Sequence, residues 1–176
     1  IKITIHSTIP IARGLGSSST CIVAGVMAAN RFAEGHLSKD EMLKIATEIE
    51  GHPDNVAPAL FGGVVVSVME DNKIYYNEVN VAKGLRFIAL VPNFTLSTKE
   101  ARAVLPESVL FKDAVFNVSR ATLLLSALSS GNFELLKVGL KDKLHQPYRG
   151  RLIPNFDFIF NKCEELGSLG TFLSGA

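Results

Sequence analysis

The stretch that most constrains this chain is Pro10-Ile11-Ala12-Arg13-Gly14-Leu15-Gly16-Ser17-Ser18-Ser19-Thr20. An alternating segment, Ile1 to Thr8, leads into it, and an apolar-patterned segment from about Thr20 to Ala33 leads out. That order predicts a strand, a glycine loop and a helix. Gly14 and Gly16 let the backbone take positive φ and approach a ligand closely. Ser17, Ser18 and Ser19 fall where the first helical N–H groups have no intrahelical partner. Those donors and the positive end of the helix dipole form an anion site. The three hydroxyls add donors for phosphate oxygens or a ligand for a cation. A lone serine here would read as a simple N-cap, whereas three in a row after a strand favour phosphate.

Two common nucleotide loops do not fit. No lysine follows Gly16, which excludes the loop ending in Gly-Lys-Ser/Thr. The dinucleotide fingerprint GxGxxG fails at Ser19, where its third glycine belongs. Glu34 stands at the spacing of a ribose-binding acid, but it follows a helix with no second strand to carry it.

The 176 residues suffice for one domain with a real core or for two small ones. A formal net charge of +1 gives no basic field for nucleic acid and no acidic tail. Cys21 and Cys163 lie far apart in apolar helical patterns. They read as reduced core residues of a cytoplasmic protein rather than as a disulfide or metal pair. No run reaches 18 uninterrupted apolar residues, so no membrane span is expected.

Ile1, Ile3 and Ile5 alternate with Lys2, Thr4 and His6, and His6 falls on the polar side. After the first helix, Ser38 and Glu41 have capping-box spacing, with Leu37 and Met42 placed as a hydrophobic staple. The helix they open is expected to run to about Glu50 and to bury Met42, Ile45, Ala46 and Ile49. Val64 to Met69 and Lys73 to Val79 read as a hairpin around Glu70-Asp71-Asn72. A boundary is expected near residues 80–84, then a strand over Arg86 to Val91. Short helices follow from Ser97 or Thr98 and from Asn132, with a long helix over Asp113 to Leu128 between them. His145 to Pro154 reads as a loop, Phe156 to Leu166 as a last helix, and Leu169 to Leu173 as the start of a strand.

A second polar cluster occupies Glu48-Ile49-Glu50-Gly51-His52-Pro53-Asp54-Asn55-Val56-Ala57-Pro58. Acidic residues at a helix C-terminus oppose the dipole, so Glu48 and Glu50 invite a cation or donor. Taken singly, Asp54 reads as an N-cap and His52 as a satisfied loop histidine.

Together these motifs carry a resemblance. Pro-x-x-x-Gly-Leu-Gly-Ser-Ser-Ser resembles the nucleotide loop of the GHMP small-molecule kinases, which include galactokinases, homoserine kinases and mevalonate kinases. Glu-x-Glu-Gly-His-Pro-Asp-Asn-Val-Ala-Pro-Ala-Leu-x-Gly-Gly resembles the second signature of the bacterial homoserine kinases. Mevalonate kinases place an aspartate thought to act as base where Asn55 aligns; homoserine kinases have asparagine there, as this chain does. Ser-Thr-x-Glu-Ala-Arg, ending at Arg102, and Pro-x-Arg-x-x-Leu-x-Pro, around Arg149, also match that family.

The resemblance implies an α+β, two-lobed fold. Residues 1–83 correspond to a ribosomal-protein-S5-like nucleotide lobe and residues 84–176 to a ferredoxin-like C-terminal lobe, both partial. The family's first motif precedes Ile1 and its third opens at Ser174-Gly175-Ala176, which implies a chain cut at both ends, one expected to bind nucleotide weakly and turn over little. The implied activity is ATP-dependent phosphorylation of the hydroxyl of L-homoserine, with ATP and Mg²⁺ as cofactors. Another alcohol substrate, or an inactive nucleotide-binding module, is the alternative. The implied partner is the small substrate, not nucleic acid or membrane, with a homodimer as candidate assembly.

The same resemblance assigns residues. Pro10 to Thr20 hold the phosphates. Ser17 or Ser18, with Glu48 favoured over Glu50, hold Mg²⁺, a hard cation suited to oxygen. His52, Asp54 and Asn55 sit beside the amino-acid substrate. Thr98 and Arg102 share a helix face, and Arg102 and Arg149 grip the substrate carboxylate through paired N–H bonds, with Arg151 as the fallback. The two arginines are expected to serve the substrate and not the fold. No residue stands out as a base, so catalysis by positioning and electrostatics is expected.

Overall fold

In the computed structural model, which describes residues 2–175, the chain divides into two units. Unit 1 comprises Ile1–Ile11 and Leu15–Val79, and unit 2 comprises Ala12–Gly14 and Asn80–Ala176.

Unit 1 runs α1 (Ser17–Phe32), α2 (Lys39–Glu50), α3 (Val56–Phe61), β1 (Val64–Glu70) and β2 (Lys73–Val79). The capping box opens α2 as its spacing predicts. Glu41 N–H donates to Ser38 Oγ at 3.2 Å, and Ser38 N–H donates to the Glu41 carboxylate at 2.7 Å. Such a cap contributes about 1 kcal/mol to the helix. The antiparallel hairpin runs in register from Glu70↔Lys73 to Val64↔Val79. Asp71 and Asn72 turn it at φ 49° and 60°, the left-handed pair that a two-residue loop requires.

The core of unit 1 joins Val23 and Val26 of α1, Leu43 and Ala46 of α2, and Val56 and Ala57 of α3. It locks the helix that follows the glycine loop against the helix that ends at Glu50. The buried face of α2 differs from the expected one: Leu43, Ala46 and Thr47 are buried, Met42 and Ile45 are partly covered, and Ile49 is 61% exposed.

Unit 2 runs α4 (Thr98–Ala103), α5 (Phe111–Ser130), a 3-10 turn (Phe133–Leu135) into α6 (Leu136–Gly139), α7 (Gln146–Arg149), a 3-10 turn (Gly150–Leu152) and α8 (Phe156–Glu165). Its core is Ala127, Leu128 and Leu136, with Leu124, Phe133, Leu140, Val81 and Leu85 packed around them. The segment 145–154, expected as a loop, is largely helical. Asp142 explains this, because its carboxylate accepts the N–H groups that open α7.

Three expected strands do not form. Residues 2–8, 86–91 and 169–173 carry strand-like sequence but no ladder, since among the described residues the one sheet is the β1–β2 hairpin. Alternation makes a strand only where a neighbouring strand takes its backbone groups. Ile3 and Ile88 are accordingly 78% and 86% exposed. The cysteines are free, but Cys21 is exposed and Cys163 only partly covered, so neither is the core residue its apolar context suggests. Among the described residues no helix is long and apolar enough to cross a membrane.

Candidate active site

In unit 1 the glycine–serine stretch opens α1 as the sequence predicts. Gly16 stands at the N-cap in the left-handed region, φ 71°, and the helix begins at Ser17. No side chain caps it, and its first turn contains no acid. The first-turn N–H groups of Ser17, Ser18 and Ser19 therefore retain the exposed positive end of a 16-residue helix. Thr20 is already inside the helix, where both its N–H and its hydroxyl return to the Gly16 carbonyl at 3.0 and 2.9 Å.

Glu50, the last residue of α2, stands beside that turn. Ser19 Oγ donates to one of its carboxylate oxygens at 2.7 Å and Ser18 Oγ to the other at 3.0 Å. Ser19 is 1% exposed. Glu48, the glutamate favoured on sequence, is exposed on another face of the helix. That Glu50 and not Glu48 meets the serines has a simple geometric cause. At about 100° per residue, Glu50 falls on the face of Leu43, Ala46 and Thr47, while Glu48 points well away from it.

The donor set fits a hard divalent cation. A carboxylate and two hydroxyls gather at a helix end that favours anions, and a cation between phosphate and Glu50 would relieve their repulsion. Among the described residues no three His, Cys, Asp or Glu side chains cluster as a metal site. Such a cation would therefore draw most of its ligands from phosphate oxygens and water, as Mg²⁺ commonly does.

The chain leaves α2 through Gly51, at φ 92°, and passes directly into His52, Pro53, Asp54 and Asn55. The His52 Nδ1 lies against the Asp54 carboxylate. Asn55, not Asp54, occupies the N-cap position of α3, and its side chain makes no capping bond there. Asp54 and Asn55 are exposed and His52 half-buried. The turn thus sets a histidine against a carboxylate, next to an amide.

In unit 2 the structure brings Arg149 to the backbone beside Arg102. Arg102 lies near the C-terminus of α4, whose N-terminus carries a second capping box, Ser97 with Glu100. Thr98 is the first residue of that helix, one turn before Arg102. Arg149 closes α7. Its Nε donates to the Ala101 carbonyl at 3.0 Å and its Nη1 to the Gly175 carbonyl at 3.1 Å. Burial, and next the charge of Arg102, disfavour protonated Arg149, while Asp142 partly offsets them. A guanidinium keeps its proton regardless, so Arg149 stays charged within electrostatic range of Arg102. Arg151 instead stands at about cation–π distance over Tyr148, 6.0 Å from its ring centre. The expectation that Arg149 serves no structural purpose does not hold, because it ties two segments of backbone together.

Gly14 and its neighbours Ala12 and Arg13 cluster with unit 2. The Ser174 hydroxyl donates to the Gly14 carbonyl at 2.9 Å. A Cβ on Gly14 would meet the Ser174 carbonyl at 2.5 Å, and one on Gly175 would meet the Gly14 carbonyl at 2.7 Å. Both glycines also have positive φ, so the two loops pass each other only as glycines. Ile11 is 80% exposed, and Pro10 is partly covered.

Sequence reasoning missed the polar node beneath Arg149, formed by Asn117, Asp142 and Gln146. The available signal was Asp142 shortly before Gln146-Pro147, an acid followed by a proline at a helix start.

Residues 1–63 match the GHMP kinases N terminal domain, and residues 124–176 match the GHMP kinases C terminal domain. The chain belongs to the GHMP kinase family, whose two domains it carries in order. Within that family its relatives include the homoserine kinases. One from Clostridium botulinum is 53% identical over 176 residues, all of this chain and 59% of its own length. Another, from Clostridium beijerinckii, is 54% identical over 172 residues, 98% of this chain and 58% of its own. The crystal structure of homoserine kinase from Cytophaga hutchinsonii superposes with a TM-score of 0.83 at 30% identity, covering 96% of this chain and 56% of that one. The chain therefore spans less than two thirds of the length of these relatives.

Proposed function

We propose that the full-length protein transfers the γ-phosphoryl group of ATP to the side-chain hydroxyl of L-homoserine, a step toward threonine. The observation that carries this reading is the Arg102–Arg149 pair. Arg149 donates to the carbonyl of Ala101, the residue before Arg102, and feels the Arg102 charge, an arrangement suited to a small carboxylate, and the relatives that share this chain's sequence are named homoserine kinases.

The residues divide the work. Residues 1–83, as the nucleotide lobe, bind phosphate on the N–H groups of Leu15 to Ser19, with Pro10 to Gly14 shaping the approach. Ser17 or Ser18 and Glu50 hold Mg²⁺, which when bound neutralises charge on the phosphate oxygens. Residues 84–176 hold the substrate carboxylate through Arg102 and Arg149, with Thr98 one turn away on the same helix. His52, Asp54 and Asn55 orient the amino acid and its hydroxyl. Phosphoryl transfer has a loose transition state, so alignment and charge neutralisation supply most of the catalysis and no strong base is required. We place the enzyme in the cytoplasm, a reading supported by its two free cysteines.

The test is steady-state turnover of the full-length protein with ATP–Mg²⁺ and homoserine, mevalonate or galactose, with the product read by phosphorus NMR. Phosphohomoserine formed at a kcat/KM at least a hundredfold above the other alcohols is the expected result. Faster turnover of another alcohol, or none of homoserine, overturns the reading.

A further inference from the structure

The short helix that carries Arg149 is anchored at its start by side chains that belong to neither the phosphate loop nor the arginine pair. Asn117, in the first half of α5, uses both ends of its amide on one turn: Nδ2 donates to Asp142 Oδ1 at 2.5 Å, and Oδ1 accepts the Lys143 N–H at 2.9 Å. The Asp142 side chain is 9% exposed. It accepts the N–H groups of Leu144 at 3.2 Å, His145 at 2.8 Å and Gln146 at 2.6 Å. Burial alone would raise its carboxyl above the usual range. The N–H groups of Gln146 and His145, the Asn117 amide and the Leu144 N–H outweigh that and lower it.

That turn opens α7. Gln146, 8% exposed, accepts the Leu173 N–H at 2.9 Å and donates to the Leu140 carbonyl at 3.1 Å. Arg149 follows three residues later and reaches Gly175. One short helix thus grips the segment 173–175 at two points, and its starting angle is fixed by the turn at Asp142. Lys143 adds a second tie to α5, with Nζ 3.0 Å from Asp113.

We propose that Asn117 and Asp142 are positioning residues for Arg149: by fixing the turn that opens α7 they aim its guanidinium, and so set the affinity for the substrate carboxylate. The inference rests on the carboxylate role proposed above for Arg149. A four-residue helix has little hydrogen-bonding of its own to hold an angle. A carboxylate saturated by a turn and an amide supplies that rigidity. A displacement of about 1 Å in a gripping group is enough to weaken a substrate contact severely.

The test uses the full-length enzyme with Asn117→Ala and Asp142→Asn. Homoserine KM should rise roughly fivefold to fiftyfold, the effect of loosening one charge-assisted contact, while ATP KM changes less than twofold. In a double-mutant cycle with Arg149→Lys, Asn117→Ala should add almost nothing, because its effect passes through that arginine. Additive losses, or equal shifts in both KM values, overturn the proposal. A second readout needs no substrate. The Arg149 Nε–H resonance, assigned by its loss in Arg149→Lys, should be shifted and slow to exchange in the parent through its bond to Ala101. It should move toward free-arginine values in Asn117→Ala, and an unchanged resonance overturns the positioning role even if homoserine proves not to be the substrate. Should Asp142→Asn not fold, Asn117→Ala leaves the three backbone donors to Asp142 intact and carries the test.

Discussion

Replacing Arg149 by lysine separates the two jobs the structure gives this side chain. The guanidinium spends Nε–H on Ala101 and one Nη1–H on Gly175, at 3.0 and 3.1 Å. Its remaining N–H groups are the ones free to face a carboxylate. Lysine keeps the charge but offers one nitrogen, which cannot reach two backbone carbonyls and a substrate at once. A hydrogen bond from a charged donor contributes about 1.5–3 kcal/mol. Losing one paired contact to the carboxylate therefore raises homoserine KM roughly tenfold to a hundredfold. Losing one of the two backbone ties lowers stability as well, by about 1–2 kcal/mol once water replaces the lost partner. In a protein of this family's size that amounts to about 2–4 °C in melting temperature per kcal/mol. Arg102→Lys should bring a similar loss of substrate affinity. The assays are steady-state kinetics with each substrate varied in turn, and thermal melts of the same samples. An unchanged homoserine KM in both variants refutes the carboxylate assignment. A large KM change for ATP in Arg149→Lys refutes the division of labour between the units.

The glutamates give a sharper contrast. Glu50→Gln should reduce kcat at least tenfold and raise the Mg²⁺ concentration needed for half-maximal rate, whereas Glu48→Gln should leave both within twofold; reversed effects would return the metal role to Glu48. Gly16→Val places a β-branched residue at φ 71° at the phosphate approach and should abolish ATP binding by calorimetry, so normal binding in a folded variant moves the site elsewhere. Unit 2 should lose stability in acid from two sources. Asp142 is lowered from 3.8, so its contribution is full above that value and is lost as pH falls through the depressed one. His145 is lowered from 6.5, by burial first, with Asp142 opposing and Arg149 assisting, so the unfolded chain takes up its proton first and stability falls as pH drops below about 6.5. Urea midpoints measured from pH 7.5 to 2 should therefore fall, with His145→Gln flattening the slope below about 6.5 and Asp142→Asn flattening it below 3.8; a parent profile that rises on acidification contradicts both signs.

What could be read from sequence was whatever local chemistry alone decides. The glycine–serine helix start, the Ser38–Glu41 box and the Asp71-Asn72 turn each depend on a few adjacent residues, and each forms as expected. The segments at 2–8, 86–91 and 169–173 depend on partners elsewhere in the chain, and alternation cannot supply a partner. The choice between Glu48 and Glu50 shows the same limit inside one well-predicted helix. Met42, Leu43, Ile45, Ala46 and Ile49 cover more than one face of α2, so hydropathy leaves its rotation open. Thr47, polar by type yet 2% exposed, lies on the face that the core selects. Only packing against Val23, Val26, Val56 and Ala57 fixes that rotation, and with it which carboxylate meets Ser18 and Ser19. The metal-side geometry is thus decided by the apolar core of unit 1. It follows that Leu43→Ala, which costs about 2–5 kcal/mol by opening a cavity, should loosen the Glu50–serine contacts as well as destabilise the fold. Should Leu43→Ala lower the melting temperature yet leave the Mg²⁺ dependence of turnover untouched, the core would be a support for α2 without setting its rotation.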